Sequence, residues 1–187
     1  MKIATCTLKS VSPYSPSRSY SHEIERLPKE SHEAYEERTW RNKAHTTKDG
    51  YIFIPPMSFK MGLDTAAKML GQRIPGKGQS TYSKFFKSGV LVMEGPVLPV
   101  KKDDAQCDRI FANADGVRGS GKRVWRLFPR IDSWEADVQF HIIADEITSE
   151  VFEDHLKQAG AFVGIGRFRP ENGGFYGRFE IKNIKWD

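Results

Sequence analysis

Apolar and polar residues alternate over residues 2–9, and the stretch is rich in β-branched side chains, which predicts a first strand. Residues 10–21 are dominated by Ser, Pro and Tyr and read as a connector. The following stretch has helix-forming residues, but its apolar positions keep no 3.6-residue period and Pro28 interrupts it. Residues 10–47 are therefore expected to form an irregular insertion. A turn at Lys48-Asp49-Gly50 precedes a short buried strand over 51–54, stopped by Pro55-Pro56. Ser58 is placed to cap a helix whose apolar face is Phe59, Leu63, Ala66, Ala67 and Leu70, with Gly71 as its stop.

Residues 76–88 read as a Gly/Lys/Ser loop, and 89–100 as a strand pair or a bent strand around Gly95-Pro96. Residues 101–108 are polar, and 116–122 form a Gly-rich basic loop. Two strands, 123–128 and 135–144, are expected to pair as a hairpin. Thr148 can cap a helix over 149–159 that carries Val151, Phe152, His155, Leu156 and Ala159 on one side, with Gly160 just past its end. A strand at 162–165, a loop at 166–174 and a last strand at 175–184 complete the chain. The element order is α+β and fits a ferredoxin-like or RNA-recognition-motif-like antiparallel sheet with helices on one face and inserted loops.

A length of 187 residues fits one domain, 1–187, with the insertion at about 10–47. No apolar run approaches the ~18 residues of a membrane span. Cys6 and Cys107 are isolated, which excludes a zinc ribbon and a disulfide framework; with no apolar leader at the N-terminus, a cytoplasmic setting is expected. Lys and Arg number 29 against 24 Asp and Glu, and the +5 balance becomes informative through its layout. Residues 23–37 are acid-rich, whereas 116–130 contain Arg118, Lys122, Arg123, Arg126 and Arg130 and no acid. Such polarity is the electrostatic footprint of a nucleic-acid binder.

The densest chemistry lies in 160–179, GAFVGIGRFRPENGGFYGRF. Glycines let backbone approach a ligand and turn amides toward phosphates. Arginines supply bidentate phosphate contacts, and Phe168, Phe175 and Tyr176 offer stacking faces for unpaired bases. The segment lacks the spacing of a dinucleotide fingerprint, and no phosphate-binding P-loop or GxSxG nucleophile motif occurs. Residues 50–70, GYIFIPPMSFKMGLDTAAKML, supply a second motif.

Together these segments resemble the signatures of the RAMP (repeat-associated mysterious protein) superfamily of CRISPR effector subunits. Ile54, Pro55, Ser58, Phe59, Lys60, Gly62, Leu63, Ala66 and Ala67 fit its strand–Ile-Pro–Ser–Lys–helix motif. Gly164, Gly166, Arg167, Arg169, Gly173, Gly174, Tyr176, Gly177 and Arg178 look like its late Gly/Arg-rich loop. The pattern is most similar to the repeating backbone subunit that lines guide RNA. The resemblance implies a modified RNA-recognition-motif core that grips single-stranded RNA by its backbone and polymerises head to tail along that strand, with copies of itself and other effector subunits as partners. No cofactor and no metal are expected. Single-stranded DNA stays open as a ligand. The contacts expected are Lys60, Lys77, Lys84, Arg118, Lys122, Arg123, Gly166, Arg167, Phe168, Arg169, Gly173, Gly174, Tyr176 and Arg178. Lys60 stands out because a cation in the first turn opposes the helix dipole, which suggests an anionic partner.

Two departures qualify the resemblance. Backbone subunits are usually longer, leaving little room here for a large thumb or lid. RNA-cleaving members place an Asp after an early strand, whereas residues 10–21 contain no acid and Asp49 sits in a turn. Two alternatives accompany the binding reading. One is a metal-free guide-processing endoribonuclease with His22 or His45 as general base. The other is a phage or mobile-element relative that copies the backbone subunit and interferes with an effector.

Overall fold

In a computed structural model, which describes residues 1–113, 119 and 121–187, the elements follow in chain order as β1 (Lys2–Ser10), α1 (His32–Thr39), β2 (Tyr51–Phe53), α2 (Pro56–Leu70), α3 (Ser83–Gly89), β3 (Val90–Val92), β4 (Val97–Lys101), β5 (Gln106–Asn113), β6 (Arg123–Arg130), β7 (Glu135–Ile142), α4 (Ser149–Gln158) and β8 (Phe179–Trp186). The central sheet has the order β3-β7-β1-β8 and is antiparallel throughout. With α2 and α3 between β1 and β3, and α4 between β7 and β8, this is the ferredoxin-like α+β arrangement. β2 pairs with β4, and β5 with β6, in separate two-stranded ribbons.

The two-residue period of β1 decides which side of the sheet is covered. Ala4, Cys6 and Leu8 point inward with Val138, Phe140 and Ile142 of β7. The inward row meets Phe59, Leu63, Ala66 and Ala67 of α2 and Phe152 and Leu156 of α4 in one buried cluster. Phe59 sits at its centre, with ring centroids 6.3 Å from Trp134, 6.5 Å from Phe140 and 5.9 Å from Phe179. The opposite side of β1 and β7 carries Thr5, Thr7, Asp137, Gln139 and His141, and Thr7 donates to Asp137 at 2.6 Å. That open face has no Phe, Tyr or Trp, so it lacks the stacking residues by which an RNA-recognition-motif sheet holds bases.

Several elements differ from their sequence expectation. β6 pairs with β5 rather than β7, and β7 lies between β1 and β3. The polar 101–108 stretch concealed the start of β5, because a ribbon outside the core needs no apolar row. The α2 cap is Pro55 with Pro56 in the first turn, not Ser58; a proline there forfeits no helical hydrogen bond. Within residues 76–88 the chain forms most of α3. The insertion expected to be irregular holds α1, capped by Ser31. Residues 162–165 form no strand. The chain leaves α4 through a wide turn, Ala159–Val163, in which Gly160 lies so close to β8 that a Cβ would fall 2.2 Å from the Phe179 carbonyl oxygen. β8 begins at Phe179, since 175–178 still belong to the Gly-rich loop.

His155 on α4 is fully buried, stacked on Phe86 at 4.3 Å, and its Nδ1 donates to the Val151 carbonyl at 2.7 Å. Burial pushes its pKa down, against smaller upward contributions from that carbonyl and Asp154. The folded state therefore holds it neutral, while the unfolded chain takes up a proton near the ordinary histidine value. Stability is present above that value and is lost as the pH falls. His155→Leu is expected to flatten the decline of melting temperature between pH 7 and about 5. Phe59→Ala is expected to cost about 3–5 kcal/mol in denaturant unfolding, as for a large aromatic removed from a close-packed core.

Candidate nucleic-acid groove

α2 is amphipathic, and the side not committed to the core presents Met57, Ser58, Met61, Gly62 and Thr65. Facing them is the Gly-rich segment from Val163 to Asn172, and between the two runs a groove of about 500 Å³. Tyr14, Ser17, His45 and Pro55 complete its lining.

The loop is held from behind by the segment that follows β1. Arg167 N–H donates to the Ser15 carbonyl at 2.8 Å, Gly177 N–H to Pro13 at 2.7 Å, and Tyr14 exchanges two 2.9 Å bonds with Ile131. Such closeness requires glycine. Gly166 has φ +75°, and a Cβ there would lie 2.7 Å from both the Ser15 carbonyl and the Tyr14 ring. Gly177 has φ +75° and would place a Cβ 1.8 Å from the Ile165 carbonyl oxygen. Phe168 also adopts a left-handed backbone, φ 57°, and stays exposed. A bulky residue persists there only because its surroundings hold it, and such strain concentrates at functional sites. Its ring meets Phe175 at 6.0 Å and Tyr176 at 5.8 Å. Among the described residues the N–H groups of Gly166, Phe168 and Arg169 make no hydrogen bond, and so remain available to an acceptor.

Of the residues expected from sequence, Gly166, Arg167, Phe168 and Arg169 line the groove. Gly173, Gly174, Tyr176 and Arg178 belong to the same loop without lining it. Arg178 is half-buried and donates to the carbonyls of Ala161 and Phe175, both at 3.1 Å, and no carboxylate among the described residues neutralises it there. Arg167 ion-pairs with Asp108 at 2.5 Å, donates to the Ser15 hydroxyl at 3.2 Å and lies 4.0 Å from the Phe128 ring centroid. Arg169 pairs with Glu171 at 2.8 Å.

The remaining cations lie elsewhere. Lys60 is buried, its ammonium ion-paired with Asp64 and donating to the Phe86 carbonyl at 2.9 Å. The premise of an unpartnered first-turn lysine is thereby corrected: with Pro55 as the cap, Lys60 lies in the second turn of α2, and Asp64, one turn further on, is its partner. Lys77 pairs with Glu146 at 2.7 Å, and Lys84 lies over the Phe85 ring at 4.8 Å. Lys122 and Arg123 belong to the far end of the β5–β6 ribbon, and Arg118 lies outside the described residues.

Sequence reasoning missed one feature of that ribbon. Phe111 and Trp125 face each other across the strands, exposed, with centroids 5.2 Å apart. Arg123 lies over Phe111 at 4.9 Å and Arg109 over Trp125 at 4.8 Å. The cross-strand register that makes this row has no local signal. The lining positions Met57, Met61, Thr65, Glu171 and Asn172 were missed as well, because nothing in α2 or the loop alone says that they face each other. His45 sits at the groove wall, 5.6 Å from the Phe53 ring; burial and the nearby Arg18 lower its pKa, so it is neutral at neutral pH. Among the described residues no three His, Cys, Asp or Glu side chains cluster as metal ligands, and no helix is long and apolar enough to cross a membrane.

No protein-family model and no curated protein matches the chain. Among solved structures, it is similar to a chain of the "Type III-B Cmr-beta bound to cognate target RNA", with a TM-score of 0.52 and 10% sequence identity. The likeness covers 99% of this chain and 60% of that one, so the protein spans less than two thirds of its neighbour's length. At that identity the comparison shows a shared fold.

Lys60→Ala is expected to lower stability by about 1–3 kcal/mol, because it strands a buried carbonyl and a half-buried carboxylate. Gly177→Ala is expected to unfold the loop locally, read as faster amide exchange over 164–178 with β1 and β7 still protected.

Proposed function

We propose that this protein is an RNA-binding subunit of a CRISPR-type ribonucleoprotein that holds single-stranded RNA and performs no chemistry on it. The observation that carries the reading is the groove between α2 and the Gly-rich loop. One wall offers free amides and an exposed Phe168, the other helical residues without charge. A strand laid there has its phosphates met by N–H groups and its bases stacked on an aromatic face. The fold shared with a chain of an RNA-bound Cmr assembly supports the same reading, as do the two motifs that resemble RAMP signatures. The ribbon pair Phe111 and Trp125, flanked by Arg109 and Arg123, adds a second surface of the same chemistry. In this reading the chain works in the cytoplasm beside copies of itself and other subunits, bound along one guide strand.

His45 favours one alternative, a metal-free endoribonuclease, since a neutral imidazole at the groove wall can accept a proton. That reading requires cleaved product in the presence of a chelator and its loss in His45→Ala.

The binding reading is tested by titrating an unstructured oligouridylate at two salt concentrations. Arg169→Ala combined with Arg178→Ala is expected to weaken binding and to lower the salt slope by up to about 1.4, near 0.7 for each single-strand phosphate that is no longer neutralised. Equal affinity of parent and variant at both salts would reject the assignment. Oligomers that grow with RNA length would support assembly along a strand, and a fixed one-to-one complex at every length would favour the interfering relative.

A further inference from the structure

Arg167 is the one groove-lining arginine whose guanidinium is almost withdrawn from solvent, its side chain 13% exposed and that of its partner Asp108 16%. Asp108 does not belong to the groove. It sits on β5, near the base of the ribbon, where it is paired with Phe128 of β6. The guanidinium thus spans two elements. Its backbone is fixed to Ser15 beside the groove, while its charged end reaches the ribbon, lying on the Phe128 ring and bonding the Asp108 carboxylate. The Phe128 ring also receives Lys43 Nζ at 4.1 Å, and Lys43 is tied to buried Glu36 at 2.6 Å. Asp108 is therefore the carboxylate that neutralises Arg167 at the junction of ribbon and loop.

A carboxylate and a phosphate present the same fork of oxygens to a guanidinium. Resting on the RNA-binding reading above, we propose that Asp108 is a built-in competitor for the strand's phosphate. In the free protein it occupies Arg167 and clamps the ribbon to the Gly-rich loop. When a strand enters the groove, a phosphate takes the guanidinium and Asp108 turns to solvent, so the ribbon is released from the loop as the groove fills. Affinity is then set below what the groove could reach, and the position of the Phe111–Trp125 surface depends on whether the groove is occupied.

The test compares the full chain with Asp108→Asn and with Asp104→Asn, a charge-matched control whose exposed side chain makes no hydrogen bond or ion pair among the described residues. The probe is an unstructured oligouridylate. Asp108→Asn is expected to bind about fivefold more tightly, in the range by which an ion pair near the surface competes, and to keep the parent's salt slope, because the same phosphate is neutralised in both bound states. Asp104→Asn is expected to leave the affinity close to the parent's. In the parent, amide exchange over 106–113 and 123–130 is expected to rise when RNA is added. Because the exchange measurement uses the parent alone, it decides the proposal even where Asp108→Asn folds poorly. RNA binding by the parent with no faster exchange in the ribbon, or a folded Asp108→Asn that binds equally or more weakly, overturns the competitor and leaves the RNA reading standing. Failure of every protein to bind RNA overturns both.

Discussion

Covering one face of a four-stranded sheet with two helices is the constraint on which the rest of this structure depends. The inward row of β1 and β7 can be removed from water only if α2 and α4 lie side by side across it, and Phe59 keys α2 into that position through three aromatic neighbours. Once α2 is fixed, the polar and methionine side of its first turns has one place to face. The chain leaving α4 must then return to β8 at the far edge of the sheet, and its path brings the Gly-rich loop alongside that side of α2. The groove is a by-product of core formation.

The loop's other support comes from outside the core. Residues 13–15 pass between the ribbon and the loop, and their backbone groups bond to Ile131 on one side and to Arg167 and Gly177 on the other. Bonds of this kind need two chains to approach within van der Waals limits, which glycines at 166 and 177 allow and any side chain would prevent. Tyr14 fills the space between them and is 1% exposed. Loop, connector and ribbon base thus form one interlocked unit joined to the sheet at the ends of β1, β7 and β8.

Electrostatics within that unit follow from burial. Glu36, fully enclosed, would be raised in pKa by desolvation, yet the Lys43 ammonium, the Leu127 amide and Arg126 outweigh burial and bring it below the ordinary carboxylate value. Its contribution to stability is present above that value and is lost only as the pH falls through the carboxylate range. Arg167 is neutralised by Asp108 in a comparable way, so the basic character read along the chain is largely used internally near the groove. Among the described residues, Arg123 at the ribbon's far end and Arg178 have carbonyls or an aromatic ring as partners rather than acids, whereas Arg109 of the ribbon is paired with Glu33.

The residue pattern specifies the α+β class, β1, the α2 and α4 helices with the Thr148 cap, and the loop that carries the groove amides, because each rests on local periodicity, capping or glycine content. It could not decide partners. The pairing of β6 with β5, the internal use of Lys60 and Arg167, and the exposed Phe111–Trp125 row all depend on residues far apart in the chain. For Arg167 the separation from Asp108 is 59 positions and from Ser15 it is 152. An arginine or lysine beside glycines looks alike whether a phosphate or a carboxylate meets it. Only the tertiary structure, by bringing Asp108 and Phe128 against the loop, decided that Arg167 has a carboxylate partner from a distant strand.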